Sequence, residues 1–173
     1  FILEYKELNE RQKVWINNYF TTAIFPILTP LAVDPSHPFP FISNLSLNLA
    51  AIIVDNESDK EQFTRIKIPG ESISRFISIP VELHNNESTK YTGIAIEQII
   101  ANNLTMLFPG MNVKEYSFFR VTRDADLELR DLEADDLMSA LEEGLRKRRK
   151  GGEVVRLEVS TNTPKVILDL LQE

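Results

Sequence analysis

The sequence predicts an α+β domain: a mixed β-sheet with about four helices packed mainly on one side, in two layers. Period-two alternation of apolar residues, typical of strands, is found at 45–54 and 154–159. Apolar residues recur at helical spacing in segments 9–24, 96–107 and 131–149. Because several strands are followed by separated helices, the pattern favours the α+β class.

The bulk composition fits one ordinary globular domain. The chain has 173 residues, of which 43% are hydrophobic and 26% charged, so it can bury a real core. A net charge of −7 argues against nucleic-acid binding by the whole domain, although a local basic patch could still bind phosphate. Cysteine is absent, which excludes disulfides and thiolate metal sites and fits a cytoplasmic setting. We see no transmembrane segment and no secretory signal, and the start at Phe1 predicts a piece excised from a longer protein.

The amino-terminal part predicts an edge strand followed by a helix. Residues 1–3 are short and apolar. Asn9 offers an N-cap, and Gln12 stands three residues later, as in a capping box. The helix predicted at 9–24 ends at Pro26, because proline cannot continue a helix.

A proline-rich and aromatic segment follows at 25–41, with the sequence FPILTPLAVDPSHPFPF. It holds five of the nine prolines and three phenylalanines. Proline fixes φ and pushes the preceding residue toward extended geometry. Since the segment is apolar rather than polar, it predicts an ordered, packed connector and not a disordered linker.

The remaining elements follow from periodicity and from turn residues. Strand 45–54 carries Leu45, Leu47, Leu49, Ala51 and Ile53 on one face. Further strands are predicted at 63–68, 75–79, 113–122 and 154–159, and further helices at 96–107, preceded by Gly93, and at 131–149. A short final helix is predicted from Thr163 as its cap, with Pro164 in the favoured first position.

His37 is the first candidate for chemistry, because histidine can act as a nucleophile, a base or a metal ligand. The chain has one other histidine, His84, in a polar loop, and two histidines without cysteine give no metal-ligand spacing. The alternative is structural: His37 shapes the proline-rich segment or contacts a neighbouring domain. Together with Phe39 and Phe41, it is a candidate interface residue.

A basic run is the second candidate, since it could bind phosphate; it comprises Arg146, Lys147, Arg148, Arg149 and Lys150. The predicted helix 131–149 begins with acidic residues and ends with this run, a distribution that complements the helix macrodipole. Glu142 and Glu143 also precede basic residues by four positions, the favoured order for ion pairs. Both readings stay open, and the run is a candidate polyphosphate contact.

The segment 119–129, FRVTRDADLEL, adds two arginines to that candidate set. In a strand, Arg120 faces one side and Arg123 the other. Asp124 and Asp126 could bind Mg²⁺, but ion pairs with the neighbouring arginine are a simpler role. No glycine-rich phosphate loop and no nucleophile or metalloprotease motif is present. The residues alone therefore predict no catalytic, cofactor-binding or metal site, and favour an interaction or structural module with a basic corner.

Several ordered segments resemble the bacterial polyphosphate kinase family, and specifically its middle, or head, domain. The segments are YFTTAIFPILTPLAVDPSHPFPFISNLSLNLA (19–50), RIKIP (65–69), SRFISIP (74–80), LFPGM (107–111), FRVTRDADLEL (119–129) and EADDL…LRKRRKGGEVVRLEV (133–159). The similarity covers nearly the whole chain. It implies that residues 1–173 are one domain, and that the amino-terminal and carboxy-terminal catalytic domains lie outside this chain.

The resemblance implies a function for the whole enzyme and a different one for this domain. The family reversibly transfers the terminal phosphate of ATP to polyphosphate through a phosphohistidine, with Mg²⁺, and its catalytic histidines lie in the carboxy-terminal domains. For this domain the resemblance implies no bound cofactor and no catalytic residue. It implies a role in dimerisation, and a position in the wall of the tunnel region of the family enzyme. Implied partners are the other domains of the enzyme and a second copy, as a homodimer or higher oligomer. The alternative is an accessory module that binds polyphosphate, and the fragment by itself is expected to be inactive. The whole enzyme is expected in the cytoplasm, with membrane association left open.

Overall fold

Two β-sheets and four α-helices form the described part of the chain, residues 1–33, 39–70, 72–84, 91–124 and 152–172 of a computed structural model. The strands are β1 (Ile2–Leu3), β2 (Pro30–Val33), β3 (Leu47–Asp55), β4 (Glu61–Lys67), β5 (Phe76–Ser78), β6 (Gly93–Ala95), β7 (Met111–Arg123) and β8 (Val154–Val159). The helices are α1 (Glu10–Tyr19), α2 (Ile96–Asn102), α3 (Leu104–Leu107) and α4 (Lys165–Gln172). The predicted α+β class is confirmed.

The larger sheet has five strands in the order β2-β4-β3-β7-β8, and all its neighbours are antiparallel. The smaller sheet has the order β1-β6-β5, in which β1 is parallel to β6 and β5 is antiparallel to it. The predicted mixed pairing therefore occurs in the smaller sheet. Hydrophobic alternation identifies a strand but not the direction of its partner, so the sequence pattern could not make this assignment.

The central strand β3 supplies apolar residues to both faces of the larger sheet. Leu49, Ala51 and Ile53 lie in a first core, and Ala50 and Ile52 lie in a second core on the opposite face. This follows from the alternation of side chains along a strand. A strand buried on both faces reads as a nearly continuous apolar run, which residues 49–54 show.

One detail of the predicted strand 45–54 is wrong. Leu45 was expected on the same face as Leu49, but it lies before β3 with a φ of 59° and is 58% exposed. Its backbone N–H donates to the Val121 carbonyl instead. The turn before β3 therefore removes Leu45 from the core.

The first core lies between the larger sheet, the helices α1 to α3 and the smaller sheet. Its fully buried side chains include Ile16, Phe20, Ile24, Leu49, Ile66, Ile79, Ile94, Ile96, Ile99 and Ile100. The second core is smaller and consists of Ile42, Ala50, Ile52, Phe63, Phe119, Val121 and Ile167. The helices α1 to α3 contribute to the first core, so the helices lie mainly on one side of the larger sheet, as predicted. Because Ile167 belongs to α4, that helix adds a short layer on the other side.

The helix predicted at 9–24 begins as expected and ends differently. The Asn9 side chain accepts from the Gln12 N–H, and the Gln12 side chain accepts from the Asn9 N–H, both at 2.9 Å, so the capping box is confirmed. The last turn, Phe20–Ile24, is π-helical. The hydroxyls of Thr21 and Thr22 donate to backbone carbonyls four residues earlier, a competition that often bends helices.

The helix predicted at 96–107 begins as expected at Ile96 and is divided. Asn103 separates α2 from α3 with φ −119° and ψ 17°. Gly93, which was expected to precede the helix, begins strand β6. The Asn103 side chain donates to the Ile99 carbonyl at 2.9 Å, and its backbone N–H donates to the Ile100 carbonyl at 3.0 Å. An asparagine side chain that bonds to a nearby backbone carbonyl in this way competes with the helical hydrogen bonds and favours an interruption of the helix.

Part of the proline-rich segment is an edge strand and not a connector. Pro30 is the first residue of β2, which lies at the edge of the larger sheet, where a missing N–H is tolerated. The edge strand predicted at 1–3 is confirmed as β1, and the strands predicted at 63–68, 75–79, 113–122 and 154–159 correspond to β4, β5, β7 and β8. His37 and the helix predicted at 131–149 lie outside the described residues.

Replacing Ile167 by alanine tests whether α4 is part of the folding unit. We expect Ile167→Ala to lower the free energy of unfolding by about 2–4 kcal/mol, because a fully buried branched side chain would leave a cavity in the second core. Chemical denaturation followed by circular dichroism measures the change. The neighbouring Val166 is exposed, so Val166→Ala should cost less than about 0.5 kcal/mol. Equal losses in the two variants would contradict the packing of α4 on the larger sheet.

Candidate functional site

A groove of about 910 Å³ opens where β3 begins and β4 ends. We call it the end groove. It is lined by residues 27, 29 and 31, by 43–47, by 65, 67–70 and 72, by 75 and 96, and by 118–120 and 158–160. The groove therefore collects side chains from β2, β3, β4, β7 and β8, which are distant in the sequence.

The charged side chains that line the end groove are mostly basic. Among the described residues they are the cations Arg65, Lys67, Arg75 and Arg120 and the carboxylate Glu158. The antiparallel register brings these residues to the same end of the sheet, because Lys67 pairs with Asn48 and Arg120 pairs with Leu47 on either side of β3. Since Leu47 and Asn48 are consecutive, Arg120 and Lys67 project from opposite faces at that end. A domain with a net charge of −7 thus concentrates positive charge at one place.

Arg65 is a buried cation at the base of this charge cluster. It is 6% exposed, and its Nε donates to Asn48 Oδ1 at 2.8 Å. The Asn48 amide in turn donates from Nδ2 to the Ser46 carbonyl at 2.7 Å, which fixes the amide oxygen toward Arg65. Burial lowers the pKa of Arg65, but a guanidinium remains protonated. Among the described residues Arg65 makes no ion pair.

Two other arginines of the groove are held by carboxylates. Arg75 donates from Nη2 and Nε to Glu97 Oε1, at 2.7 and 3.1 Å, and this contact raises the pKa of Arg75. Arg120 donates from Nε to Glu158 at 2.9 Å, and Glu158 also pairs with Arg156 at 3.1 Å. Their charges are therefore partly neutralised within the domain.

Lys67 differs from these arginines because it is exposed and has no ion-pair partner in the described part of the chain. It lies two residues after Arg65 on β4, so both side chains project from the same face of the strand. The pair gives the groove one buried and one solvated positive charge side by side.

Arg123, predicted with Arg120 as a phosphate contact, lies outside the lining of the end groove. Its guanidinium donates from Nε to the Ile42 carbonyl at 2.7 Å and from Nη1 to the Gly152 carbonyl at 2.8 Å, and it lies 4.3 Å from the centre of the Phe41 ring. Gly152 comes so close to the backbone of Asp124 that a side chain there would collide with the Asp124 carbonyl oxygen. Arg123 thus joins three backbone segments.

The other predicted site residues fall in two groups. Phe39 and Phe41 are 42% and 53% exposed, and Phe39 packs against Phe63 with a ring separation of 5.6 Å. His37 and the basic run 146–150 lie outside the described residues. Sequence reasoning missed Lys67 and Asn48. The period-two spacing of Arg65 and Lys67 is a signal that could have revealed Lys67, whereas the role of Asn48 depends on strand pairing.

The described residues offer no ready site for Mg²⁺, since they contain no group of three or more histidine or acidic side chains able to hold a metal ion. Asp124 is described, but Asp126 is not. No helix in the described ranges has the length and apolar character needed to cross a membrane.

Comparison with known families decides what kind of domain this is. Residues 11–173 match the model of the polyphosphate kinase middle domain. This chain belongs to that family. The two sheets described above are therefore the fold of a polyphosphate kinase middle domain. The cationic residues of the end groove lie within that domain.

Individual relatives agree with this assignment. The chain is 59% identical over 173 residues to a polyphosphate kinase of Prochlorococcus marinus and 38% identical over 177 residues to one of Mycobacterium tuberculosis. Each alignment covers 99% of this chain and 24% of the relative, so the chain spans about a quarter of the length of these relatives. The crystal structure of polyphosphate kinase from Porphyromonas gingivalis has the same fold, with a TM-score of 0.73 and 23% identity, over 98% of this chain and 22% of that chain.

Replacing Arg123 by lysine tests its structural role. The lysine keeps the charge but loses the planar fork that reaches two carbonyls, so we expect Arg123→Lys to lower the free energy of unfolding by about 1–2 kcal/mol. Thermal or chemical denaturation measures the loss. Arg11→Lys, at an exposed position of α1, is the matched control and should cost less than about 0.5 kcal/mol. Identical stabilities would contradict the role of Arg123 in joining these segments.

Proposed function

We propose that this chain is the middle domain of an enzyme that reversibly transfers the terminal phosphate of ATP to polyphosphate through a phosphohistidine. The family match over residues 11–173 carries the proposal. In it, residues 1–173 form one domain, and the phosphohistidine, ATP and Mg²⁺ belong to amino-terminal and carboxy-terminal domains that lie outside this chain. The proposal includes a cytoplasmic enzyme, with or without membrane association.

For the domain itself we propose a structural role. Phosphoryl transfer depends more on positioning and charge neutralisation than on covalent chemistry by the protein. The described residues suit positioning, because two apolar cores share the strand β3. A rigid domain of this kind can hold the catalytic domains in place without touching the reacting phosphate.

Self-association is the second part of the structural role, and Phe39 and Phe41 are the proposed contacts. Both rings are exposed, yet each is held in place from behind, Phe39 by Phe63 and Phe41 by Arg123. Aromatic side chains that are already ordered lose little entropy on binding, and such residues often dominate the energy of interfaces. His37, which precedes Pro38 in the same proline-rich segment, is proposed as part of this surface.

Light scattering after size exclusion tests self-association. We expect a homodimer whose dissociation constant rises about tenfold or more in Phe41→Ala, as is usual for a central aromatic contact. Val14→Ala, at an exposed position of α1, is the control and should leave the dissociation constant unchanged. A strictly monomeric chain at high concentration would count against self-association, but the family membership would stand.

A polyphosphate-binding accessory role is the second candidate, and the cationic lining of the end groove favours it. Arg120 lies in that lining, whereas the basic run 146–150 lies outside the described residues. In this candidate a polyanion would contact both the groove and the run.

Neutralising part of the basic run tests this candidate. Arg146→Gln, Arg148→Gln and Lys150→Gln together should weaken polyphosphate binding about tenfold or more at low salt, and less at high salt, because screening reduces such contacts. Titration calorimetry at two salt concentrations measures it. Lys6→Gln, Lys13→Gln and Lys60→Gln carry the same change in net charge at other places on the chain and serve as the control. No binding of polyphosphate by the unaltered chain at low salt would eliminate an accessory binding role.

A further inference from the structure

The charges of the end groove are not equivalent. Arg75 and Arg120 are each bonded to a carboxylate of the domain, at 2.7 and 2.9 Å. Arg65 and Lys67 make no such ion pair within the described residues. The positive charge available to a ligand is therefore concentrated on these two side chains of β4.

Arg65 is a buried cation whose surroundings suit the binding of an anion. It is 6% exposed, and its Nε is fixed by Asn48. Burying a cation costs stability, none of the described acidic residues pairs with this one, and a bound anion would offset that cost. The described hydrogen bonds of Arg65 involve Nε, which leaves the two Nη groups of the fork for an oxyanion.

The backbone beside this pair is also unusual. Leu45 lines the groove with a φ of 59°, a conformation that is rare for a bulky residue. Strained residues of this kind tend to occur where a binding surface is shaped. The turn that holds Leu45 also places Ser46 where its carbonyl orients Asn48, and through it Arg65.

We propose that the end groove binds a phosphoanhydride chain, with Arg65 and Lys67 as its anchor and with Glu158 as a carboxylate that weakens binding. This inference rests on the proposal that the domain belongs to an enzyme that handles polyphosphate. The guanidinium fork of Arg65 contacts two oxygens of one phosphoryl group, and the Lys67 ammonium contacts the next part of the chain as a point charge.

Glu158 and Lys67 should have opposite effects on the affinity of the groove for an anion. Its carboxylate lines the groove, neutralises Arg120 and is itself a like charge to any phosphate that enters. Removing that negative charge should strengthen binding while the removal of Lys67 weakens it. A surface that bound polyanions only by its general charge would respond to these changes no more than to changes elsewhere.

Titration of this chain with long-chain polyphosphate tests the proposal through two matched pairs of variants. Lys67→Gln should weaken binding about five- to tenfold at low salt and reduce the slope of log K against log salt by about one, as expected for one lost phosphate contact. Glu158→Gln should tighten binding about threefold. The controls are Lys60→Gln and Glu57→Gln, at exposed positions of the β3–β4 turn at the other end of β4, and they should leave affinity and slope unchanged.

Arg65→Lys separates the fork from the charge. It should weaken binding about fivefold or more and leave the salt slope nearly unchanged, because one cation remains but the bidentate contact is lost. Circular dichroism and a denaturation curve show whether this buried substitution folds. If it does not fold, the opposite effects of Lys67→Gln and Glu158→Gln still decide the question, because both positions are at least partly exposed.

Two further ligands identify the source of the phosphoanhydride chain. Tripolyphosphate and ATP share that chemistry, and each is titrated without metal against the unaltered chain and Lys67→Gln. If Lys67→Gln lowers the affinity for tripolyphosphate and polyphosphate, and ATP binds more weakly than either, the groove is assigned to the polymer. Equal sensitivity of ATP would assign it to the triphosphate tail of the nucleotide, and the phosphoanhydride site would stand.

Failure of this inference is distinguishable from failure of the proposed function. If polyphosphate binds and the two groove variants behave like their controls, the groove is not the site, while polyphosphate contact elsewhere on the domain stands. If polyphosphate does not bind at low salt, the groove inference is overturned, and the structural role is judged separately by the light-scattering experiment.

Discussion

The pairing of β3 with β4 on one side and with β7 on the other is the constraint on which the rest of the structure depends. Because β3 is central and buried on both faces, a shift of one residue would exchange Leu49, Ala51 and Ile53 with Ala50 and Ile52 between the two cores. The same register brings Asn48 opposite Lys67 and next to Arg65. Packing of the cores therefore also determines the geometry of the end groove.

The electrostatics of the domain follow from that geometry. The chain carries a net negative charge, yet the groove lining, as far as the structure describes it, has four basic side chains and one acidic side chain. Carboxylates of neighbouring elements neutralise Arg75 and Arg120, whereas an amide oxygen receives Arg65. An amide orients a guanidinium without cancelling its charge. The cation thus stays available to an anion, and this distinction separates ion pairs that support the fold from charges suited to binding.

Membership of the polyphosphate kinase middle-domain family gives these features a common explanation. A protein that moves phosphate along a charged polymer needs rigid walls as much as it needs reactive groups. We propose that the two cores and the Arg123 contacts with Ile42 and Gly152 form part of such a wall, from which the exposed rings of Phe39 and Phe41 project. In our proposal the chemistry takes place on other domains, and this one holds the geometry and contacts the polymer.

The sequence by itself determined the α+β class, the capping box at Asn9, most strand positions and the family resemblance, because periodicity, capping and turn chemistry act over a few residues. Only the tertiary structure decided that Asn103 divides a helix, that Leu45 leaves the core, and that α4 covers the second face. It also decided which arginines share a site: Arg120 lines the groove with Arg65 and Lys67, whereas Arg123, three residues along the same strand, is bonded to backbone carbonyls. The physical reason is that a site across several strands depends on long-range register, which no local pattern of residues encodes.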